Sequence, residues 1–518
     1  MAGIGFELRK LLKRQSYFGL LQAYAFAGLI SSGPWVLSIV GIMLIGVFSL
    51  GVSDPNEVIS QFQVTVTYLF LISLVGTGLV QLSFTRFVAD RIFEKDEASI
   101  LPNFNGLILV ALVTCIGVAT PFAAFCFPDQ TPLYRILFVM GLSIMSAVWI
   151  ATVFLTGLKH YRTIVAIFFV GYSATLGFAL LLRPYLGIDG LLLGFVLGHY
   201  LLLMGMVWLV YRNYRSDRFI AFDIWKPGAM HLTLVGTGFF FNLGAWIDKL
   251  MFWYFPGTGQ QVIGPLNASV IYDFPIFLSY LSVIPGMAVF LVRIETDFVE
   301  YYIKFYNAVR EGATLDYIER MRNQMVYHIQ HGLFDIAKIQ SITVLITFSL
   351  GGVMLESLGI SKLYLPLLYV DVVGAALQVI LLGILNVLFY LDQRIHVLRL
   401  TILLPLTNIA FTALSLQLGP AWFGYGFTLA MLWAINKVTP VRVTEADEHA
   451  GLEALVVLHD LLPRPRQRSG AALASSCGLN VVDDAAVLGV IWCSCLFSVR
   501  GGRPSSGSVR RQVRAPAR

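Results

Sequence analysis

The chain is a succession of long apolar runs separated by short polar segments, and the length of those runs sets the solvent it is built for. A helix that crosses about 30 Å of hydrocarbon needs about 20 predominantly apolar residues. Such runs fall at 20–50, 60–84, 104–127, 133–157, 163–182 and 190–211, and again at 230–254, 274–294, 337–357, 364–390, 395–417 and 421–436. Their interruptions are of the kind helix interiors tolerate in lipid: from Phe62 to Phe84 only Gln63, Gln81 and small or hydroxyl residues intervene. The pattern predicts an all-α, polytopic membrane protein of about 12 transmembrane helices. Its weakest member is the last: Ala421–Ile435 covers about 22 Å at 1.5 Å per residue, short of a usual crossing.

Composition and charge agree with that solvent. Of 518 residues, 57% are hydrophobic and only 13% charged, with a mean hydropathy of +0.76, whereas soluble domains carry about 25% charged residues. The sequence pI of about 9.0 does not indicate nucleic acid, because the basic residues lie between apolar runs, where they face anionic headgroups. The run at 20–50 is too long for a cleavable signal. The preceding Arg9, Lys10, Lys13 and Arg14 are expected to stay cytoplasmic. Alternation from there places 86–103, 158–162, 211–229, 293–338, 391–399 and the C-terminus inside. Of the 25 Lys and Arg before residue 437, all but Arg135, Arg183, Lys249 and Lys362 then fall on the inner side. Both termini are therefore expected in the cytoplasm and the chain in a cell inner membrane, crossing it many times.

The segment Tyr211–Gly228 is polar and basic and divides the spans six and six. The expected organisation is a six-helix bundle at 1–210, a cytoplasmic linker at 211–229, and a second six-helix bundle at 230–436. Paired bundles of this kind pack around a central cavity. The second bundle carries a cytoplasmic helical insertion at 293–338, in which charges alternate with Phe298, Tyr301, Tyr302, Phe305 and Tyr306, and Gly312 interrupts the helix. That insertion reads equally as an amphipathic hairpin on the membrane surface and as a docking surface for a cytoplasmic partner.

No phosphate loop, HExxH zinc helix or G-x-S-x-G elbow occurs. Nor does a D-x-D pair, and the inner segments are too short to fold as catalytic domains. No enzyme activity, catalytic residue, cofactor or metal is expected. The five cysteines form no disulfide framework, and Cys115 and Cys126 read as small hydrophobes.

Charges at membrane depth face a wet cavity or a partner. Asp248 and Lys249 stand in the seventh run and Asp371 in the tenth, with Asn242 nearer the middle of the bilayer. These four are the candidate substrate or ion pathway. Neighbours on a helix are about 100° apart, so Asp248 and Lys249 are expected to point different ways. Two readings stand: both carboxylates line an outward-opening cavity, or Lys249 pairs with Asp371 between helices. Gly33-Pro34 interrupts the first run and is a candidate hinge. His199, Asn386 and Asn408 read as interhelix hydrogen bonds, and Arg86 as a snorkelling interfacial residue. Trp246, Trp253, Tyr254 and Tyr272 suit an interfacial belt or stacking on sugar rings.

The opening MAGIGFELRKLL, followed by SYFGLLQAYAFAGLISSGPWVLSIVG, is similar to the start of the PelG family of exopolysaccharide transporters. Further similar stretches occur in the same order: LLLGFVLGHYLLL, the sequence around Asn242–Asp248–Lys249, YDFPIFLSYLSVIPGMAVFLVRIETDF, LYLPLLYVDVVGAALQVILLGILNVLFYLD and LSLQLGPAWFGYGF. The resemblance runs from Met1 to about Ile435. It places the chain with the multidrug/oligosaccharidyl-lipid/polysaccharide exporters, with two six-helix bundles and alternating access. It implies carriage of the amino-sugar-rich Pel polysaccharide across the inner membrane in a biofilm export complex. The implied partners are the membrane proteins PelD and PelE, the glycosyltransferase PelF, and membrane lipids. Alternatives on the same scaffold are a flippase for lipid-linked oligosaccharide or a cation-coupled drug exporter. A non-transporting scaffold for the polymerase is the alternative of another class. From about Asn436 the similarity stops. The tail 437–518 is rich in Arg, Ser, Gly and Pro, holds Cys477, Cys493 and Cys495, and is expected to be mostly disordered, as a frame change or lineage-specific extension would be.

Overall fold

The computed structural model describes residues 56–154, 161–226 and 228–438, together with Tyr24, Ala27, Gly28, Ile39, Val40, Gly41 and Leu44. Most of the first expected span, its basic cluster, Gly33-Pro34 and the tail beyond Val438 lie outside the described residues. Among them the chain forms α1 (Asn56–Phe93), α2 (Ile100–Cys126), α3 (Pro132–Thr152), α4 (Tyr161–Leu186) and α5 (Ile188–Asn213). Then follow α6 (Leu232–Tyr254), α7 (Val270–Leu281), α8 (Val283–Val292), α9 (Val299–Arg310) and α10 (Leu315–Ser357). The last are α11 (Leu365–Tyr390), α12 (Arg394–Leu418) and α13 (Tyr425–Asn436).

Nine helical segments in the described residues are long and apolar enough to cross a membrane, and the chain is an all-α, multi-pass membrane protein. Neither α6 nor α13 is among the nine. The first is diluted by Asn242, Asp248 and Lys249, and the second is 12 residues long.

Helices α1 to α5 pack on one another, with α3 innermost: every residue from Gly141 to Ala151 is buried. Thr131 caps α3, accepting from the Tyr134 N–H at 3.0 Å and donating to Asp189 on α5 at 2.7 Å. The tightest pair is α4 with α5. Gly190, Gly194 and Gly198 recur every fourth residue along α5, and a Cβ on any of them would collide with the α4 backbone or Thr175. In lipid, where no hydrophobic effect separates helix from solvent, such close backbone approach is what joins helices.

Helices α6 to α13 likewise pack among themselves, α6 against α12, α12 against α13, and α11 against α7, α10 and α13. The run expected as one span at 274–294 is two helices. Pro285 has no N–H to give the Leu281 carbonyl, and the helix breaks at Ser282. A π-helical stretch, Arg293–Phe298, continues it into α9, and the chain turns at Gly312 (φ +68°) before the 43-residue α10. The π stretch is tied on two sides. Glu295 accepts from Asn386 and from Tyr390, each at 2.9 Å, and Arg293 pairs with Asp297 at 3.0 Å and Asp335 at 2.8 Å. Asn386 is thus an interhelix hydrogen bond. Arg86 pairs with Asp90 at 2.9 Å while staying partly exposed at the end of α1.

One element departs from the all-α expectation. Gln260–Ile263 (β1) and Leu266–Ala268 (β2) form an antiparallel hairpin turned at Gly264-Pro265, with Gly264 at φ +51°. The hairpin follows α6 in sequence but seats its Ile263 and Leu266 in the core of the α1–α5 set. Tyr68 of α1 donates to the Asn267 carbonyl at 3.0 Å.

The two sets also meet where α1 crosses α6. A Cβ on Gly78 would lie 2.8 Å from the Gly238 carbonyl oxygen, and one on Gly238 would collide with Gly78. Asn242 fastens the crossing by donating to the Leu74 carbonyl at 2.9 Å. Gly238→Ala is expected to lower stability by about 1–3 kcal/mol, as overpacking does. Gly76→Ala, on α1 close to Gly78 but with nothing within 4 Å, should be neutral or gain up to about 1 kcal/mol from helix propensity. Thermal unfolding of the two detergent-purified variants checks the order.

Candidate functional site

Beside the α1–α6 crossing lies a cavity of about 780 Å³. Its walls come from α1 (Ser60, Gln63, Thr67), α6 (Asn242, Trp246), α7 (Asp273, Phe274, Phe277, Tyr280), the α10–α11 turn (358–364) and α11 (Gln378). It occupies the end of the helices where α1 and α7 begin. Toward the other end the helices close: the Gly78–Gly238 crossing leaves no gap, and a Cβ on Gly28 would be 3.3 Å from Ile284 and 3.6 Å from Ala288. The lining is mostly apolar and aromatic with a few amides, hydroxyls and one carboxylate, the chemistry of a site that takes a bulky, neutral or weakly charged ligand.

Behind the α6–α7 wall lies a second, dry polar cluster. Asp248 and Lys249 are fully buried and paired, with Lys249 Nζ 3.1 Å from Asp248 Oδ2. Tyr272 donates to the same oxygen at 2.6 Å, and Asn408 on α12 donates to Asp248 Oδ1 at 3.2 Å and to the Gly244 carbonyl at 2.9 Å. Thr412 in turn donates to Asn408 Oδ1 at 2.9 Å. Lys249 also donates to the Ala245 carbonyl at 2.9 Å, and its ammonium lies 5.7 Å from the Trp246 ring centre and 5.1 Å from those of Tyr280 and Phe427. Trp246 and Tyr280 both line the cavity, so two aromatic rings form the partition between it and the ion pair.

Two expectations are corrected here. Asp248 and Lys249 do meet: the four-carbon Lys stem folds back across the 100° between neighbouring positions. The Lys249–Asp371 pair and the carboxylate-lined cavity are both replaced by this arrangement. Asp371 is fully buried against Gly424, and its carboxylate oxygens have no hydrogen-bond partner among the described residues. Of the four candidate pathway residues, Asn242 alone is on the cavity wall.

Other singled-out residues also find places. His199 makes no interhelix hydrogen bond among the described residues: it is buried, its Nδ1 3.0 Å from the Phe195 carbonyl of its own helix, and its ring lies against Phe70, Tyr172 and Phe195. Trp253 stacks on Tyr68 at 4.7 Å and donates to Asp273 at 2.7 Å. Tyr254 is exposed and donates to the Pro265 carbonyl at 3.0 Å. Asp273, the carboxylate on the cavity wall, escaped the sequence reading because it stands one position before the span expected from 274. The aromatic-rich stretch YDFPIFLSY was its signal. Among the described residues no group of His, Cys, Asp and Glu is arranged to hold a metal ion.

Comparison with known proteins matches residues 1–437 to the family model PelG, described as "Putative exopolysaccharide Exporter (EPS-E)". No curated protein sequence matches. The fold is similar to an outward-facing multidrug-resistance MATE family transporter of the MOP superfamily, at TM-score 0.57 and 12% identity over 84% of this chain and 96% of that one. A MATE transporter in a bent conformation aligns at TM-score 0.54 and 12% identity, over 88% and 98%. A MOP superfamily transporter from Pyrococcus furiosus, whose binding pocket is described as reversed in polarity, aligns at 0.52 and 11%, over 84% and 93%.

Removing one member of a buried ion pair leaves an uncompensated charge and costs about 3–5 kcal/mol, whereas removing both is often neutral. Lys249→Met is therefore expected to lower the thermal midpoint sharply, and adding Asp248→Asn to restore most of it. Both read out in the purified protein.

Proposed function

We propose that this chain, which belongs to the PelG family, carries the Pel exopolysaccharide across a bacterial inner membrane by exposing the cavity beside α1 and α6 to each side in turn. The family and the fold are those of membrane transporters. The observation that carries the finer reading is the cavity itself. It lies at the end of the helices where α1 and α7 begin, has glycine contacts toward the other end, and is walled by Trp246, Phe274, Phe277 and Tyr280 beside Gln63, Asn242, Asp273 and Gln378. Aromatic faces with scattered amides and hydroxyls suit the alternating apolar and hydroxylated surfaces of sugar rings.

With the orientation that the basic residues favour, both termini are cytoplasmic and the cavity lies in the outer half of the membrane. The helix sets α1–α5 and α6–α13 are then the cores of the two bundles that rock about the Gly78–Gly238 crossing, and Gly33-Pro34 is a hinge in the span that precedes them. The buried cluster of Asp248, Lys249 and Asp371 serves as an ion-responsive element behind the partition rather than as a sugar contact. The hairpin of α9 and α10 is the surface toward PelD, PelE and PelF. Its amphipathic part, α9 and the start of α10, exposes Ile303, Val309, Leu315 and Tyr317.

The test is secreted polymer from a strain lacking the resident transporter. The full chain is expected to restore secretion, and so is a version ending at Val438. Ala245→Trp, which fills the cavity from α6, is expected to reduce secretion by roughly tenfold or more at an unchanged membrane level, since an occluded site cannot bury its ligand. Normal secretion by that variant would rule out passage through this cavity.

A further inference from the structure

The segment between α5 and α6 is basic in sequence, but the fold fastens it. Asn103 of α2 accepts from the Asp223 and Ile224 N–H groups at 2.7 and 3.3 Å, and donates to the Asp223 carboxylate at 3.1 Å. Asn105 donates to the Phe219 carbonyl at 2.8 Å and accepts from Tyr211 at 3.0 Å. The Ala221 N–H donates to the Pro102 carbonyl at 3.0 Å, and Gly106 leaves no room for a Cβ against Ala221. Lys226 and Asn103 beside Asp223 hold its carboxyl below the usual carboxylate range. That clamp is therefore complete at neutral pH and loosens only as acid protonates the group.

The side of α2 that holds the segment is its outer, lipid-facing side. Asn105 begins a stripe continued at helical spacing by Leu109, Val113 and Ile116, which are 41%, 63% and 50% exposed. The segment thus lies on the perimeter of the protein, at the level where α2 begins and α5 ends. On this fixed backbone Phe219, Phe222 and Trp225 stand 70%, 47% and 43% exposed, with Trp208 of α5 beside them. Between Trp208 and Phe219 in the sequence, Arg212, Arg215 and Arg218 are also exposed, the Arg212 guanidinium lies 5.3 Å from the Trp208 ring centre, and Lys226 pairs with Asp223.

Neither water nor hydrocarbon suits that strip. A water-facing linker has no reason to hold aromatic rings out on a clamped backbone, and acyl chains do not accept these arginines. Aromatic rings beside arginines match the headgroup layer, where rings settle at the glycerol level and cations reach phosphate.

We propose that the strip from Trp208 to Trp225 is a binding surface for anionic phospholipid headgroups, with Arg212, Arg215 and Arg218 meeting the phosphates. It holds whatever the cavity carries.

The test uses the full chain reconstituted in equal parts phosphatidylglycerol and phosphatidylcholine, gently extracted, with bound lipids counted by native mass spectrometry. The wild type is expected to retain phosphatidylglycerol preferentially. Exchanging the three arginines for Gln should lower that preference by about fivefold or more, because each basic residue near the surface contributes separately. Arg310→Gln with Arg320→Gln, two exposed cations elsewhere, should leave it intact. The three arginines exchanged for Lys should preserve it, and if the Gln variant does not fold, this variant and the wild type decide. In the wild type, raising salt from about 0.05 to about 0.5 M should abolish the preference, as it screens exposed charges. An unchanged ratio in the Gln variant, equal loss in the control variant, or a salt-independent preference would each overturn the proposal.

Discussion

The contact on which the architecture turns is the crossing of α1 and α6 at Gly78 and Gly238. Water does not press helices together inside a bilayer, so association rests on van der Waals contact and interhelix hydrogen bonds. Two glycines let the backbones touch, and Asn242 adds a hydrogen bond to the Leu74 carbonyl one turn away. Every other junction between the two described helix sets is arranged around that line. The β-hairpin reaches back from α6 to Tyr68 at one end. The aromatic cavity opens beside the line, and the contact of Gly28 with Ile284 and Ala288 closes the opposite end.

The buried ion pair follows a different rule. Asp248 and Lys249 lie in a helix whose neighbours supply Tyr272 and Asn408 and whose own backbone supplies the Ala245 carbonyl, so each charge is met by more than its partner. A fully satisfied polar cluster of this kind is tolerated in a low-dielectric interior, where a partly satisfied one is not. Asp371 is the exception within it: its carboxylate, packed against Gly424 at the start of α13, has no hydrogen-bond partner among the described residues. The aromatic partition of Trp246 and Tyr280 carries that electrostatics to the edge of the cavity without exposing a charge to its contents.

Much of the fold was legible in the chain because lipid imposes a simple requirement. Run lengths located α2, α5, α6, α11 and α12 to within a few residues, and the placement of lysines and arginines marked the segments between them. Less was legible where local chemistry competes with run length. Pro285 divides an apolar stretch that hydropathy reads as one helix, and Gly264-Pro265 turns a hairpin inside what reads as a loop. The G-x-x-x-G spacing at Gly190, Gly194 and Gly198 was present in the sequence, but nothing in one helix says which partner backbone it will meet.

The site divides in the same way. Residue type and membrane depth were enough to single out Asn242, Asp248, Lys249 and Asp371 as costly groups that must be satisfied somewhere. Their pairing was not readable. A Lys side chain is long enough to cross the 100° between adjacent positions, and the hydrogen-bond donors to Asp248 come from residues 24 and 160 positions away. The sequence by itself determined that this protein lives in a membrane, where most of its long apolar segments run, and which groups are expensive there, because those are properties of single segments in a uniform solvent. Only the tertiary structure decided which of those groups face the cavity and which lie sealed behind its wall, because that depends on how separate helices rotate against one another.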